Sequence, residues 1–199
     1  MPAPPDVRRV LLVSGSAGWG GAEKAMVDLA NALAERLEVY VLVPAGTRYL
    51  DRFSEAVREV RTLRPGSRRN PLALADLVRH LRDVEPDVVH THAEKATEMV
   101  HRVRRVRPVR QLATKHNTRR RAIFSRVQWV SAVSEQVRAS IDHPHEVAVV
   151  YDGIHPRPVA PRPKPETFTI VAVGRLDRYK GFDRLIRAVA ELPFEAVLE

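Results

Sequence analysis

The chain has 199 residues, with 33 Lys and Arg against 24 Asp and Glu, and a formal charge of +9 when histidines are neutral. Its 44% hydrophobic content belongs to a folding chain rather than a disordered one, and the absence of cysteine excludes disulfides, thiolate metal sites and a cysteine nucleophile. No apolar run approaches the ~18–20 residues of a transmembrane helix, residues 1–5 lack a signal peptide's apolar stretch, and a cytoplasmic setting is expected. The positive excess points to an anionic partner: nucleic acid, anionic lipid or a phosphorylated small molecule.

Residues 9–14 form an apolar run without alternation, the pattern of a strand buried on both faces. After a glycine-rich loop, Met26, Leu29, Ala30, Leu33 and Leu37 recur at helical spacing, and residues 39–43 form the next buried run. A short helix over 49–57 and a weak strand over 59–63 follow. A second long helix opens with Asn70 as N-cap and Pro71 at its first position, and Leu74, Leu77, Val78, Leu81 and Val84 line one face of it. Strands are expected at 87–92, 109–115, 127–133 and 146–150, with helices over 94–105 and from Ser134. This alternation predicts an α/β fold, a Rossmann-like parallel sheet with helices on both faces.

Five prolines, at 156, 158, 161, 163 and 165, read as a stiff linker over 156–166. Beyond it come a strand over 168–173, a helix with Phe182, Leu185, Ile186 and Val189 on one face, and a strand beginning within 194–199. The expected organisation is a domain over 1–155, the linker, and the start of a second domain over 167–199, too small to bury a core alone.

Three motifs carry chemistry. Residues 15–23 lie between the first strand and first helix, where open α/β sheets bind ligands, and Gly15, Gly18, Gly20 and Gly21 allow backbone N–H groups to approach an anion. The loop is not a Walker loop, because Gly20 is followed by Gly21 and Ala22 rather than Lys and Ser or Thr. The dinucleotide spacing fails too, since Glu23 occupies the last glycine's position. His90 and His92 share one side of a strand end, and His116 ends another strand; with no carboxylate beside the pair, hydrogen bonding to a polar ligand is expected rather than a metal. Finally, Arg175 and Lys180 sit between Gly174 and Gly181 in a loop opening a helix, which suits a doubly charged group such as a pyrophosphate.

Taken in order, Gly20-Gly21-Ala22-Glu23 and the stretches 87–92 (DVVHTH), 114–117 (TKHN), 130–135 (VSAVSE), 149–154 (VVYDGI) and 173–188 (VGRL to RLIRA) resemble the retaining glycosyltransferases of family 4, which have the GT-B architecture of two facing Rossmann-like domains. The resemblance covers nearly the whole chain. It implies an N-terminal acceptor-side domain plus the first strand, loop and helix of a nucleotide-sugar-binding domain. The implied activity is hexosyl transfer from a UDP- or GDP-sugar to a lipid, glycan or small-molecule acceptor, in cell-envelope glycan synthesis. By resemblance Gly20 and Gly21 approach donor phosphate, and His116 is the catalytic residue contacting the transferred sugar. His92 lies beside it, with Glu23 and Asn117 also at the substrate. Arg175 and Lys180 would neutralise the leaving nucleotide diphosphate in place of a divalent ion, so no cofactor and no obligatory metal are expected.

Two departures stand out. Asp152-Gly153-Ile154-His155 replaces the more usual Asn-Gly-Ile/Val-Asp, and the chain stops at Glu199, before the paired-glutamate motif that holds the donor. A truncated, inactive chain is therefore expected from these 199 residues alone. From residue 99 through 134 there is no Asp or Glu, whereas ten cations lie there: Lys115 and nine arginines between Arg102 and Arg126. That stretch is a candidate contact with a membrane surface or phosphorylated acceptor. Two alternatives remain: the acceptor-binding half of a split transferase, and a basic nucleic-acid-binding domain, although no specific nucleic-acid motif accompanies the charge.

Overall fold

The computed structural model describes residues 7–154, 158–160, 163 and 165–199. The Pro-rich start, His155, and Pro156 and Pro161 of the expected linker lie outside them. The chain divides into two compact units, Met1–His155 and Pro156–Glu199.

The first unit is a seven-stranded, all-parallel sheet. Its elements are β1 (Arg9–Ser14), α1 (Gly21–Leu33), β2 (Glu38–Pro44), β3 (Glu59–Leu63), α2 (Pro71–Val84), β4 (Val88–His92), α3 (Ala93–Val103), β5 (Gln111–Lys115), β6 (Trp129–Ala132), α4 (Glu135–Arg138) and β7 (Ala148–Val149). The spatial order is β3-β2-β1-β4-β5-β6-β7, so the chain winds outward from β1 in one direction, then returns and winds outward in the other. The reversal falls between β1 and β4.

Burial explains why β1 occupies the centre. Leu11 and Leu12 are both fully buried yet point to opposite faces, Leu11 against Leu77 and Leu81 of α2 and Met99 and Val100 of α3, Leu12 against Met26, Val27 and Ala30 of α1. Each contributes roughly 1.5–3 kcal/mol by leaving water, and only a strand inside the sheet can bury consecutive residues on both faces in this way. Helices thus cover both faces. Asn70 caps α2 as expected, its side chain accepting from Leu72 N at 2.9 Å with Pro71 at the first helical position.

The helix expected over 49–57 is reduced to a single 3₁₀ turn, Leu50–Arg52. Tertiary hydrogen bonds claim the backbone groups a helix needs: Asn31 Nδ2 donates to Arg52 O at 3.1 Å, and Asn31 Oδ1 accepts from Ser54 N at 2.8 Å. Phe53 is extended, with ψ 135°. The helix from Ser134 is likewise one turn, with Ser134 Oγ accepting from Val137 N.

The second unit contains β8 (Phe168–Ile170), α5 (Phe182–Ala190) and β9 (Ala196–Leu198), the two strands pairing in parallel. Among its described residues no hydrophobic side chain is buried, and Val173, Leu176 and Tyr179 are almost fully exposed.

Candidate functional site

Open parallel sheets bind ligands at the carboxyl ends of the strands where the winding reverses. Here that place lies between β1 and β4, and the pairing puts Ser14 opposite His92 there. His92 is in turn opposite Thr114 of β5, and Thr114 opposite Ser131 of β6. One polar row, Ser14, His92, Thr114 and Ser131, therefore crosses four strands on the α1 face, and all four residues are buried. His116 extends the row beyond the end of β5.

Two separate hydrogen-bonded groups run through the row. Nε2 of His90 meets Thr114 Oγ1 at 2.7 Å, and Thr114 Oγ1 meets Ser131 Oγ at 2.7 Å. Nδ1 of His92 lies 3.1 Å from Nε2 of His116. The imidazoles form a ladder, with ring centroids 4.5 Å apart for His90 and His92 and 5.3 Å for His92 and His116. Burial pushes His90 down to about 4, with the His116 charge adding to the effect, and holds His92 well below the usual histidine range. Burial also lowers His116, although the Asp152 and Glu23 carboxylates oppose it. All three rings are thus neutral near pH 7. A neutral imidazole ladder suits hydroxyl groups better than phosphate.

The glycine-rich loop closes over the same edge. A Cβ on Gly15 would come within 2.8 Å of Lys95 Cβ, so only glycine lets the end of β1 pass this close to α3. The loop is anchored rather than loose. Tyr49 OH donates to Ser16 O at 2.9 Å and Arg48 N to Ala17 O at 3.2 Å, while the Trp19 ring stacks near Tyr49 and carries the Arg52 guanidinium at 4.2 Å. Gly20 is the N-cap of α1 and supplies no capping side chain, which leaves the first N–H groups of the helix free for a ligand. Glu23 stands in that first turn, partly buried.

Asn117 is held by local bonds in the loop that follows β5. Its Oδ1 accepts from Arg119 N at 3.0 Å, and its carbonyl accepts from Lys115 Nζ at 2.7 Å, so it shapes the loop after β5. Lys115 itself is buried on the opposite face, bonded also to Ser140 Oγ and lying over the Phe124 ring. It is therefore no part of a surface patch. Arg121 pairs with Glu94 at 2.9 Å, Arg107 with Glu85 at 3.7 Å and Arg102 with Glu98 at 3.9 Å, whereas Arg119 and Arg120 are exposed.

The three histidines line a cavity of about 790 Å³ that runs along the α1 face of β4 to β7, together with Thr114, Ser131 and Leu29 of α1. Thr114 and Ser131 both lie in stretches that carry the family resemblance, although neither was singled out as a site residue. The signal for them is polarity at alternate positions of strands that are otherwise apolar.

In the second unit Arg175 is exposed and pairs with Asp177 at 3.1 Å. Asp177 Oδ1 accepts from Tyr179 N and Lys180 N at 3.1 and 3.2 Å, folding the loop into a 3₁₀ turn (Arg178–Lys180). Gly181 then takes φ 69° to open α5, a conformation glycine adopts without strain. No cluster of three or more metal-ligating side chains occurs among the described residues, and no described helix is long and apolar enough to cross a membrane.

The model of Glycosyltransferase Family 4 matches residues 19–158 of this chain. No curated protein matches it in sequence. Among solved structures it is similar to Anabaena HepE in complex with UDP (TM-score 0.76, 17% identity, covering 96% of this chain and 60% of that one). It is also similar to sucrose-phosphate synthase from Thermosynechococcus elongatus (TM-score 0.74, 18% identity, 96% and 61%) and to Acinetobacter baumannii MurG (TM-score 0.64, 13% identity, 96% and 59%). At these identities the likeness establishes the fold, the N-terminal Rossmann-like half of GT-B glycosyltransferases. The chain spans about 60% of the length of the first of these structures.

Proposed function

Because the chain belongs to Glycosyltransferase Family 4, we propose that it supplies the acceptor-side domain for hexosyl transfer from a nucleotide diphosphate sugar, with retention of anomeric configuration. The observation that carries this reading is the neutral ladder of His90, His92 and His116 at the reversal of the sheet, beside the N-terminus of α1, where Gly20 supplies no capping side chain. Hydroxyls and phosphate need opposite things from a protein. A sugar takes hydrogen bonds from uncharged groups, whereas a diphosphate takes backbone N–H groups and fixed cations.

In the proposed reaction the bond from the anomeric carbon to the diphosphate oxygen breaks, its electron pair leaving with the nucleotide diphosphate, and the oxygen of an acceptor hydroxyl bonds to the same face of that carbon while its proton passes to the leaving diphosphate. His116 contacts the sugar, with His92, Glu23 and Asn117 around the substrate. Arg175 and Lys180 stabilise charge growing on the diphosphate in place of a divalent ion. The UDP held by HepE supports a uridine donor, with a GDP-sugar the other candidate. The acceptor is a lipid, glycan or small molecule, and a cytoplasmic place in cell-envelope glycan synthesis fits it.

The test is a nucleotide-release screen of UDP- and GDP-sugars with the product of the whole reading frame. One donor should be turned over, with the product's anomeric configuration unchanged by NMR. His116→Ala and Arg175→Ala should each lower turnover at least ~10-fold. Near-normal rates in both would remove the site assignment, and an inverted product would remove retention.

A further inference from the structure

The contact between His92 and His116 has a direction, and burial selects it. Nδ1 of His92 faces Nε2 of His116 at 3.1 Å, so one of these nitrogens carries the shared proton and the other accepts it. His92 is buried and its Nε2 meets no hydrogen-bond partner among the described residues. A neutral ring has one proton to place. If His116 donated from Nε2, the proton of His92 would have to sit on that enclosed Nε2 as an N–H with nothing to receive it. Buried N–H groups without a partner are rarer in proteins than acceptors with an unused lone pair. The opposite arrangement, Nδ1–H of His92 donating to the Nε2 lone pair of His116, leaves only such an unused lone pair.

We propose that His92 is a positioning residue that fixes His116 as its Nδ1–H tautomer, so that His116 meets its ligand as a hydrogen-bond donor to an oxygen lone pair. This rests on the reading of His116 as the sugar contact and narrows it. The oxygen it takes is a hydroxyl or ether oxygen of a neutral polyol, and the ring is not a base toward that oxygen.

Three features hold His92 in place for this task. Pairing sets it between Ser14 and Thr114, so its height in the sheet is fixed by β1 and β5. Its ring lies between its two neighbours, tilted 35° to that of His90 and meeting that of His116 through the Nδ1 to Nε2 contact. The next residue, Ala93, takes φ 62°, a left-handed conformation that an alanine holds only under constraint, and Thr97 Oγ1 donates to its carbonyl at 2.7 Å.

The experiment is long-range proton–nitrogen correlation NMR of the ¹⁵N-labelled chain at neutral pH, which separates protonated from unprotonated ring nitrogens. In the wild type both His92 and His116 should be Nδ1–H, and Nε2–H in either ring overturns the proposal. His92→Asn places an amide N–H near the former Nδ1 and should keep His116 as Nδ1–H. His92→Leu removes the donor and should return His116 to the Nε2–H form that free histidine favours. An unchanged His116 in a folded His92→Leu overturns the positioning role; should that variant fail to fold, an Nε2–H His116 in His92→Asn does so. Tautomers are read without turnover, so the donor screen and this measurement can fail separately.

Discussion

His90 does its work without ever gaining charge. Its Nε2 bonds to Thr114 and burial pushes its pKa down to about 4, against about 6.5 in an unfolded chain. Above pH 6.5 neither state binds the proton, and stability is unaffected. Between 6.5 and 4 the unfolded state takes it up and the native state does not, so stability falls as pH falls, by roughly 3 kcal/mol for this one group. His92 adds in the same direction. The carboxylate of Asp87, held low by the N–H groups of Arg9 and Arg8, acts later, losing its contribution only as pH falls through and below 3.8. His90→Gln keeps a donor for Thr114 and removes the titration. Its thermal midpoint should therefore fall less than the wild type's between pH 6.5 and 4, and parallel curves would refute the assignment.

At the scale of elements, the close passage of the end of β1 against α3 sets where the glycine-rich loop can lie. Gly15→Ala forces a Cβ to 2.8 Å from Lys95 Cβ, and one of the two elements has to move. Urea unfolding should show a loss of ~1–3 kcal/mol, with a loss under ~0.5 kcal/mol meaning that the contact yields freely. Most of these elements were legible in the sequence because each rests on a local signal: Asn70 and Pro71 for α2, the unbroken apolar run for β1. The lost helix over 49–57 had no such protection, since Asn31, some twenty residues away, takes its backbone groups. The histidines were visible as strand-end residues, and the family resemblance placed His92 beside His116, but the nitrogen-to-nitrogen contact between them was not legible. It depends on which residue of β4 lies opposite which residue of β5, and nothing local to either strand encodes that pairing.

At the scale of the molecule, the charge excess is less available than its count suggests. Of the ten cations between residues 99 and 134, Lys115 is buried and Arg102, Arg107 and Arg121 have carboxylate partners. The other six, Arg104, Arg105, Arg110, Arg119, Arg120 and Arg126, are exposed and are left to carry the candidate membrane contact, at ~1 kcal/mol each near an anionic surface. In sedimentation with phosphatidylserine vesicles, Arg119→Ala with Arg120→Ala should weaken binding about tenfold or more, and Arg121→Ala much less. Equal effects, or none, would end that reading.

The polar row across β1, β4, β5 and β6 bears on how the sheet avoids assembling wrongly. A parallel strand that slips by one residue turns its side chains to the other face. For β4 that would drive a histidine into the hydrocarbon packed beneath α2 and α3, where Val89 now sits, and for β5 it would drive Thr114 in among Ile123 and Phe124, where Ala113 now sits. The groups that are to hold a substrate therefore also penalise misaligned strands, so the chain proofreads its own assembly with the residues it reserves for chemistry.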